Sequence, residues 1–330
     1  MPHDPPAQLD LPMAPVPPSP DRVEERPTLE ELRALRERLP PTIQFGTSGY
    51  EYPGWAGIVW HGERSAADLA RDGLIEYAAH PLLSTMYLES GVDAHASERD
   101  LRLYAGQLPD ALHCVLQVHP EVTTPRFLRS ADRAWSGGRA GQANPHFLDS
   151  RFFLTEILST YQDVFGERLG PFLFTFPPTL ARAGVSPEAF ADRLDRFLSS
   201  LPEETACAVE VRDPDYLTLP YARTLARYEV SHVYTTWPGM PSFLDQAAAV
   251  PTSPELIVQI VEPTGDRAAR AIELEPFDRI RYPDAKMRDG VVALLRAMRG
   301  VPTYVLVQNE AEGCAPLTIV ALARMLADEL

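Results

Sequence analysis

From residue 43 onward, short runs rich in β-branched and aromatic residues alternate with stretches of helical period. The runs are IQFGTS (43–48), LLSTMYLE (82–89), LHCVLQV (112–118), FLFTF (172–176), CAVEVR (207–212), SHVYTT (231–236), LIVQIV (256–261) and TYVLVQ (303–308). Each has the length and composition of a buried strand. Between them, Ser186-Pro187-Glu188 reads as an N-cap and first turn, with Phe190, Leu194, Phe197 and Leu198 following on one face. Val291, Leu294, Leu295 and Met298 mark a second helix in the same way. Eight β-then-α units with mostly short connections predict an α/β fold, a single (β/α)8 barrel of the TIM type, over residues 42–330. An open, doubly wound sheet is the alternative.

Upstream of the barrel, Thr28 and Glu31 form a capping-box pattern. Leu29, Leu32, Leu35 and Leu39 then make one apolar stripe that stops at Pro40-Pro41. This predicts an extra N-terminal helix and linker over 28–41, packed on the outside of the barrel. Residues 1–41 hold 11 of the 33 prolines, and 1–27 show neither helical nor strand period. That composition predicts an extended, disordered tail. Two connections, 123–147 and 262–283, are too long and polar for plain turns. Both follow strands, so both are expected over the barrel mouth, as lids and binding walls or as tolerated insertions.

Strand alternation identifies what faces the lumen. In the fifth run Cys207, Val209 and Val211 share one face, and Ala208, Glu210 and Arg212 share the other. The apolar face belongs against the helices, which turns Glu210 and Arg212 inward at the carboxyl end of the strand, where barrels of this kind build their sites. The same parity directs Gly46, Ser48, Tyr87, Glu89, Gln117, His119, Thr175, Gln259 and Gln308 inward. The ligand-binding set expected at the mouth is Ser48, Tyr50, Tyr52, Trp55, Gln117, Arg212, Trp237, Gln259, Gln308 and Asn309, with Glu210 as the catalytic candidate. A Glu and an Arg two apart can pair, leaving guanidinium donors for a phosphate or carboxylate and Glu210 as base or ligand holder. A buried structural ion pair is the competing reading.

Composition narrows the partners. The formal net charge is −16, from 30 Lys and Arg against 46 Asp and Glu, which repels polyanions at long range. Nucleic acid and anionic membranes are therefore not expected partners, whereas a small molecule is. A small anion is still admitted, because a local Arg outweighs the global field within a Debye length of about 8 Å. No apolar run approaches the ~20 residues that span a bilayer, and the start, MPHDPPAQLD, has no signal-peptide pattern, so a cytoplasmic protein is expected. The three cysteines, Cys114, Cys207 and Cys314, form no CxxC pair and fit a reducing compartment. Cys314, just past the last strand, is the thiol a nucleophile would come from, but no base can be named beside it. HxH, HExxH, GxGxxG and Walker A spacings are all missing, so no metal or cofactor is expected. The oligomeric state is not legible.

The run Gly46-Thr47-Ser48-Gly49-Tyr50-Glu51-Tyr52-Pro53-Gly54-Trp55 resembles the opening motif of the domain-of-unknown-function 72 family, whose members are also called YecE-like proteins. Leu169-Gly170-Pro171, Phe176-Pro177-Pro178, Val209-Glu210-Val211-Arg212, Thr236-Trp237-Pro238-Gly239 and Gly313-Cys314-Ala315-Pro316 resemble its later blocks in the right order, over about residues 43 to 328. The resemblance implies a TIM-type barrel and no established reaction. It also marks a divergent member. The family pattern implies an inward carboxylate where this chain has Tyr87, a lysine at Gln117, a histidine at Thr124, an Arg and a His at Gln259 and Val261, and Asn-Asn-Asp at Gln308-Asn309-Glu310. Two functions stay open: a barrel that binds or acts on a small polar molecule, anions included, and a catalytically silent barrel that keeps its pocket for binding.

Overall fold

The computed structural model describes residues 26–89, 98–109, 112–127, 139–251, 254–263 and 266–329. The proline-rich stretch through residue 25 lies outside them, as does much of the 123–147 connection.

Eight strands lie where the alternation predicts them: β1 (Ile43–Thr47), β2 (Thr85–Leu88), β3 (His113–Gln117), β4 (Leu169–Phe176), β5 (Cys207–Val211), β6 (Ser231–Thr235), β7 (Leu256–Ile260) and β8 (Thr303–Val307). All pair in parallel, in the order β1-β8-β7-β6-β5-β4-β3-β2. Two isolated parallel bridges, Phe45 with Leu83 and Ser48 with Tyr87, join β1 to β2 and complete the ring. The seam depends on Gly46, where an added Cβ would stand 2.5 Å from the Thr85 carbonyl oxygen. The fold is thus a (β/α)8 barrel.

Alternation divides the core into two layers. Tyr87, Val115, Leu173, Ala208, Val233, Ile257, Tyr304 and Leu306 form the lumen cluster. Their neighbours on the other face, such as Phe45, Phe174, Val209, Val258 and Val305, join the larger shell under the helices. Cys207, Val209 and Val211 belong to that shell and Ala208 to the lumen. Helices follow the strands because their apolar stripes need this shell. The Pro187–Leu198 helix starts from Ser186, whose hydroxyl accepts from the Ala189 N–H at 3.2 Å, and it buries Phe190, Leu194, Phe197 and Leu198. Val291, Leu294 and Leu295 of the Ala285–Ala297 helix are buried likewise.

The N-terminal helix runs Leu29–Arg38 with both capping-box bonds formed. It packs on the Ala315–Glu329 helix, and Arg38 Nη2 donates to the Ala327 carbonyl at 2.7 Å. Leu32, Leu35 and Leu39 are buried, but Leu29 is exposed, because the apolar stripe meets its neighbour only from the second turn. β4 starts three residues before the predicted run. Gly170, with the Cys114 carbonyl 2.8 Å from where a Cβ would sit, lets this stretch close on β3 across a register shift. The 262–283 connection is not wholly irregular: Arg267–Leu274 is a helix capped by Asp266.

Candidate active site at the barrel mouth

Glu210 and Arg212 both rise from β5 above Ala208. The Glu210 carboxylate is fully buried, and Arg212 engages both of its oxygens, Nε to Oε1 at 2.9 Å and Nη2 to Oε2 at 3.2 Å. The Arg212 side chain is 17% exposed. Its guanidinium carbon lies 4.2 Å from the centre of the Trp237 ring, a cation–π contact that fixes the plane of the fork. Trp237 is held in turn by its backbone N–H, which donates to the Thr235 hydroxyl at 3.2 Å. Across the lumen, the Gln259 amide in the orientation that satisfies both groups donates to Glu210 Oε2 at 2.9 Å and Oε1 at 3.2 Å. Glu210, Arg212, Trp237 and Gln259 are thus one unit, drawn from β5, the loop after β6, and β7.

A second group gathers around β1, β2 and β8. Ser48, Tyr50 and Tyr52 line a cavity of about 300 Å³ between the first two strands. The Tyr52 hydroxyl donates to the Ser48 carbonyl at 3.2 Å. Burial, with the Glu310 charge nearby, pushes the Tyr52 phenol up to about 12. Trp55 does not line that cavity. It is fully buried, stacked on Trp60 with ring centres 5.9 Å apart, and its indole N–H donates to Asn309 Oδ1 at 3.3 Å. Asn309 Oδ1 also accepts the Ala315 N–H at 2.8 Å, so Trp55 and Asn309 together tie the loop after β1 to the chain leaving β8. Gln308 donates to Glu89 at 3.3 Å. Gln117 stands half-buried at the end of β3, in register with Leu173 of the lumen cluster.

Tyr87 connects them. Its buried hydroxyl and that of Thr175, the register partner of Glu210 on β4, interact with each other and have no other hydrogen-bond partner among the described residues. Burial raises the Tyr87 phenol well above its ordinary value, and the charges of Glu89 and Glu210 add to the shift while Arg212 opposes it. The tyrosine therefore senses charges of both groups across the lumen. Of the positions where the family pattern has ionisable groups, Thr124 is buried with its carbonyl accepting from Asn144 Nδ2 at 2.7 Å, and Val261 is buried as well.

Sequence reasoning missed Arg267. Its Nη1 reaches both oxygens of Glu89 at 2.7 Å, and its Nε reaches Glu310 Oε1 at 3.0 Å, which pins the Arg267–Leu274 helix over the mouth. Burial alone would lower the Arg267 pKa, but the two carboxylates more than reverse this and raise it. The helical spacing of Ala268, Ala271, Ile272 and Leu274 after Asp266 was the available signal. Cys314 is fully buried, unlike the accessible thiol a nucleophile requires. Among the described residues no group of three His, Cys, Asp or Glu side chains is arranged to hold a metal, and no helix is long and apolar enough to cross a membrane.

Residues 44–330 match the family model described as protein of unknown function DUF72. The chain belongs to the DUF72 family. Two solved DUF72 proteins share its fold. One from Thermotoga maritima is 18% identical with a TM-score of 0.58, over 86% of this chain and 98% of the other. One from Enterococcus faecalis is 14% identical with a TM-score of 0.53, over 86% and 95%. Comparison with curated proteins returns no match. Within the DUF72 match, the stretch from Gly46 to Trp55 supplies the β1–β2 seam, five residues of the cavity wall and the Trp55 anchor.

Proposed function

We propose that this DUF72 barrel binds a small polar molecule at its mouth through an anionic or strongly accepting group, and that Arg212 meets that group. One observation carries the reading: the guanidinium is braced by Glu210 on its edge and Trp237 on its face, while Nη1 has no hydrogen-bond partner among the described residues. A donor fork fixed in advance binds without ordering cost. The buried Thr175 hydroxyl, beside Glu210 on the neighbouring strand, is a donor and acceptor for the rest of the ligand. In this reading Glu210 positions Arg212.

The burial of Glu210 favours a second reading, in which the barrel holds its ligand without turning it over. Both carboxylate oxygens are engaged by Arg212 and Gln259, and a general base has to reach its proton. Titration with inorganic phosphate and with malonate, followed by calorimetry and tryptophan fluorescence, tests the site. Saturable binding at about 1 mM or tighter is expected. Arg212→Lys keeps the charge but loses the planar fork, and it should weaken binding about tenfold. Equal binding by the two proteins, or none by the wild type, rules out Arg212 as the receptor. Malonate recovered unchanged alongside tight binding would favour the silent barrel.

A further inference from the structure

The cavity between β1 and β2 differs in chemistry from the Arg212 surface, because none of the residues lining it is basic. Its walls are four tyrosine rings, Tyr50, Tyr52, Tyr87 and Tyr104. Tyr50 and Tyr104 meet edge to face, with centres 6.3 Å apart and planes at 88°. Tyr52 is braced 4.9 Å from Trp55 and 5.4 Å from Phe277. The rings are therefore held in place before any ligand arrives.

Two carboxylates border the same space, Glu51 and Glu89. Glu89 is neutralised by Arg267. Glu51 is half-buried and forms no ion pair among the described residues. Desolvation raises its pKa, with the Tyr50 hydroxyl offsetting part of the effect. A desolvated carboxylate facing aromatic rings lacks only a cation. Independently, Ser48 Oγ, on a residue that lines the cavity, is buried without a partner, and Tyr87 Oη, on another, interacts with the Thr175 hydroxyl and keeps hydrogen-bonding capacity to spare.

The geometry points to a binding site for a small organic ammonium ion, held by Glu51, by the Ser48 and Tyr87 hydroxyls, and by the faces and edges of the four tyrosines. An ammonium carries three N–H donors, matching the one carboxylate and two hydroxyls. Its alkyl part would lie against the rings. A cavity of about 300 Å³ is at the small end of ligand pockets, which limits the guest to a compact amine. An inorganic divalent cation is disfavoured, since no group of three His, Cys, Asp or Glu side chains is arranged to hold one among the described residues. The site shares no binding carboxylate or guanidinium with the one at Arg212.

The test is calorimetric titration of the full chain with propylammonium chloride, with propan-1-ol as the neutral isostere. No anion beyond chloride is present, so the outcome stands apart from that of the phosphate titration. Saturable propylammonium binding is expected, with no measurable binding of propan-1-ol. Glu51→Gln should weaken binding at least tenfold while melting at or above the wild-type temperature, since it removes a desolvated charge. Tyr104→Leu, which takes away one wall, should weaken binding several-fold. Absent saturable binding, equal affinity in Glu51→Gln, or propan-1-ol binding as well as the amine would each overturn the assignment.

Discussion

Glu210 and Arg212 stand two residues apart on one strand and meet through two parallel hydrogen bonds, with the carboxylate wholly inside the barrel and the guanidinium at its opening. The period of two in a β-strand makes the pair, because it turns both side chains to the same face at successive heights. The pair is consequently a bridge between the sealed lumen below and the mouth above.

Glu210→Ala leaves a guanidinium without its partner at a mostly buried position. Denaturant unfolding should then show a loss of about 3–5 kcal/mol. Glu210→Gln retains one acceptor for Arg212 and should cost less. A loss under about 1 kcal/mol in the alanine variant would mean that water replaces the carboxylate freely and that the pair is an exposed one.

Arg267 ties the Arg267–Leu274 helix to the ends of β2 and β8. Its side chain is 37% exposed, so solvent screening keeps the contribution to global stability near that of a surface pair. The expected effect of Arg267→Ala is local: amide exchange across 267–274 should accelerate about tenfold, with the melting temperature nearly unchanged. Unaltered exchange in that helix would mean that packing, not the two carboxylates, holds it down.

At the β1–β2 seam, Gly46→Ala would push a methyl group to 2.5 Å from the Thr85 carbonyl, a backbone atom that cannot swing away. A destabilisation of about 1–3 kcal/mol is expected. Gly62→Ala is the control, because nothing lies within 4 Å of the added carbon. Equal melting temperatures for the two variants would show that the seam is loose.

His232 is fully buried, its Nδ1 lies 3.0 Å from the Tyr221 hydroxyl, and desolvation lowers its pKa to about 4. The folded value lies below the ordinary 6.5, so the unfolded chain binds the proton more readily. The stability of the neutral ring is fully present above pH 6.5 and is lost as pH falls toward 4, up to about 3 kcal/mol. Urea midpoints at pH 7 and pH 4.5 should differ in wild type and differ less in His232→Gln. An identical pH dependence in both proteins would remove His232 from the acid response.

The alternation of each strand was enough to distinguish lumen from shell at Ala208, Glu210 and Arg212, since a side chain's face depends on parity alone. The capping residues Thr28 and Ser186 likewise announced their helices locally, through bonds spanning three residues. What required the folded chain were relationships between distant strands. Arg267 finds Glu89 across 178 residues and Glu310 across 43, and neither separation leaves a periodic trace. Trp55 had the composition of a pocket wall, yet its indole is turned inward to Asn309 across 254 residues, because a large ring gains more from burial than from lining a small polar cavity. Glu51 was visible only as one letter of a motif, and its character as an uncompensated carboxylate among tyrosines exists only once β1 and β2 meet. Local pattern determines which way a residue faces, and barrel closure decides what it faces, since pairing across the ring is set by the packing of the whole sheet.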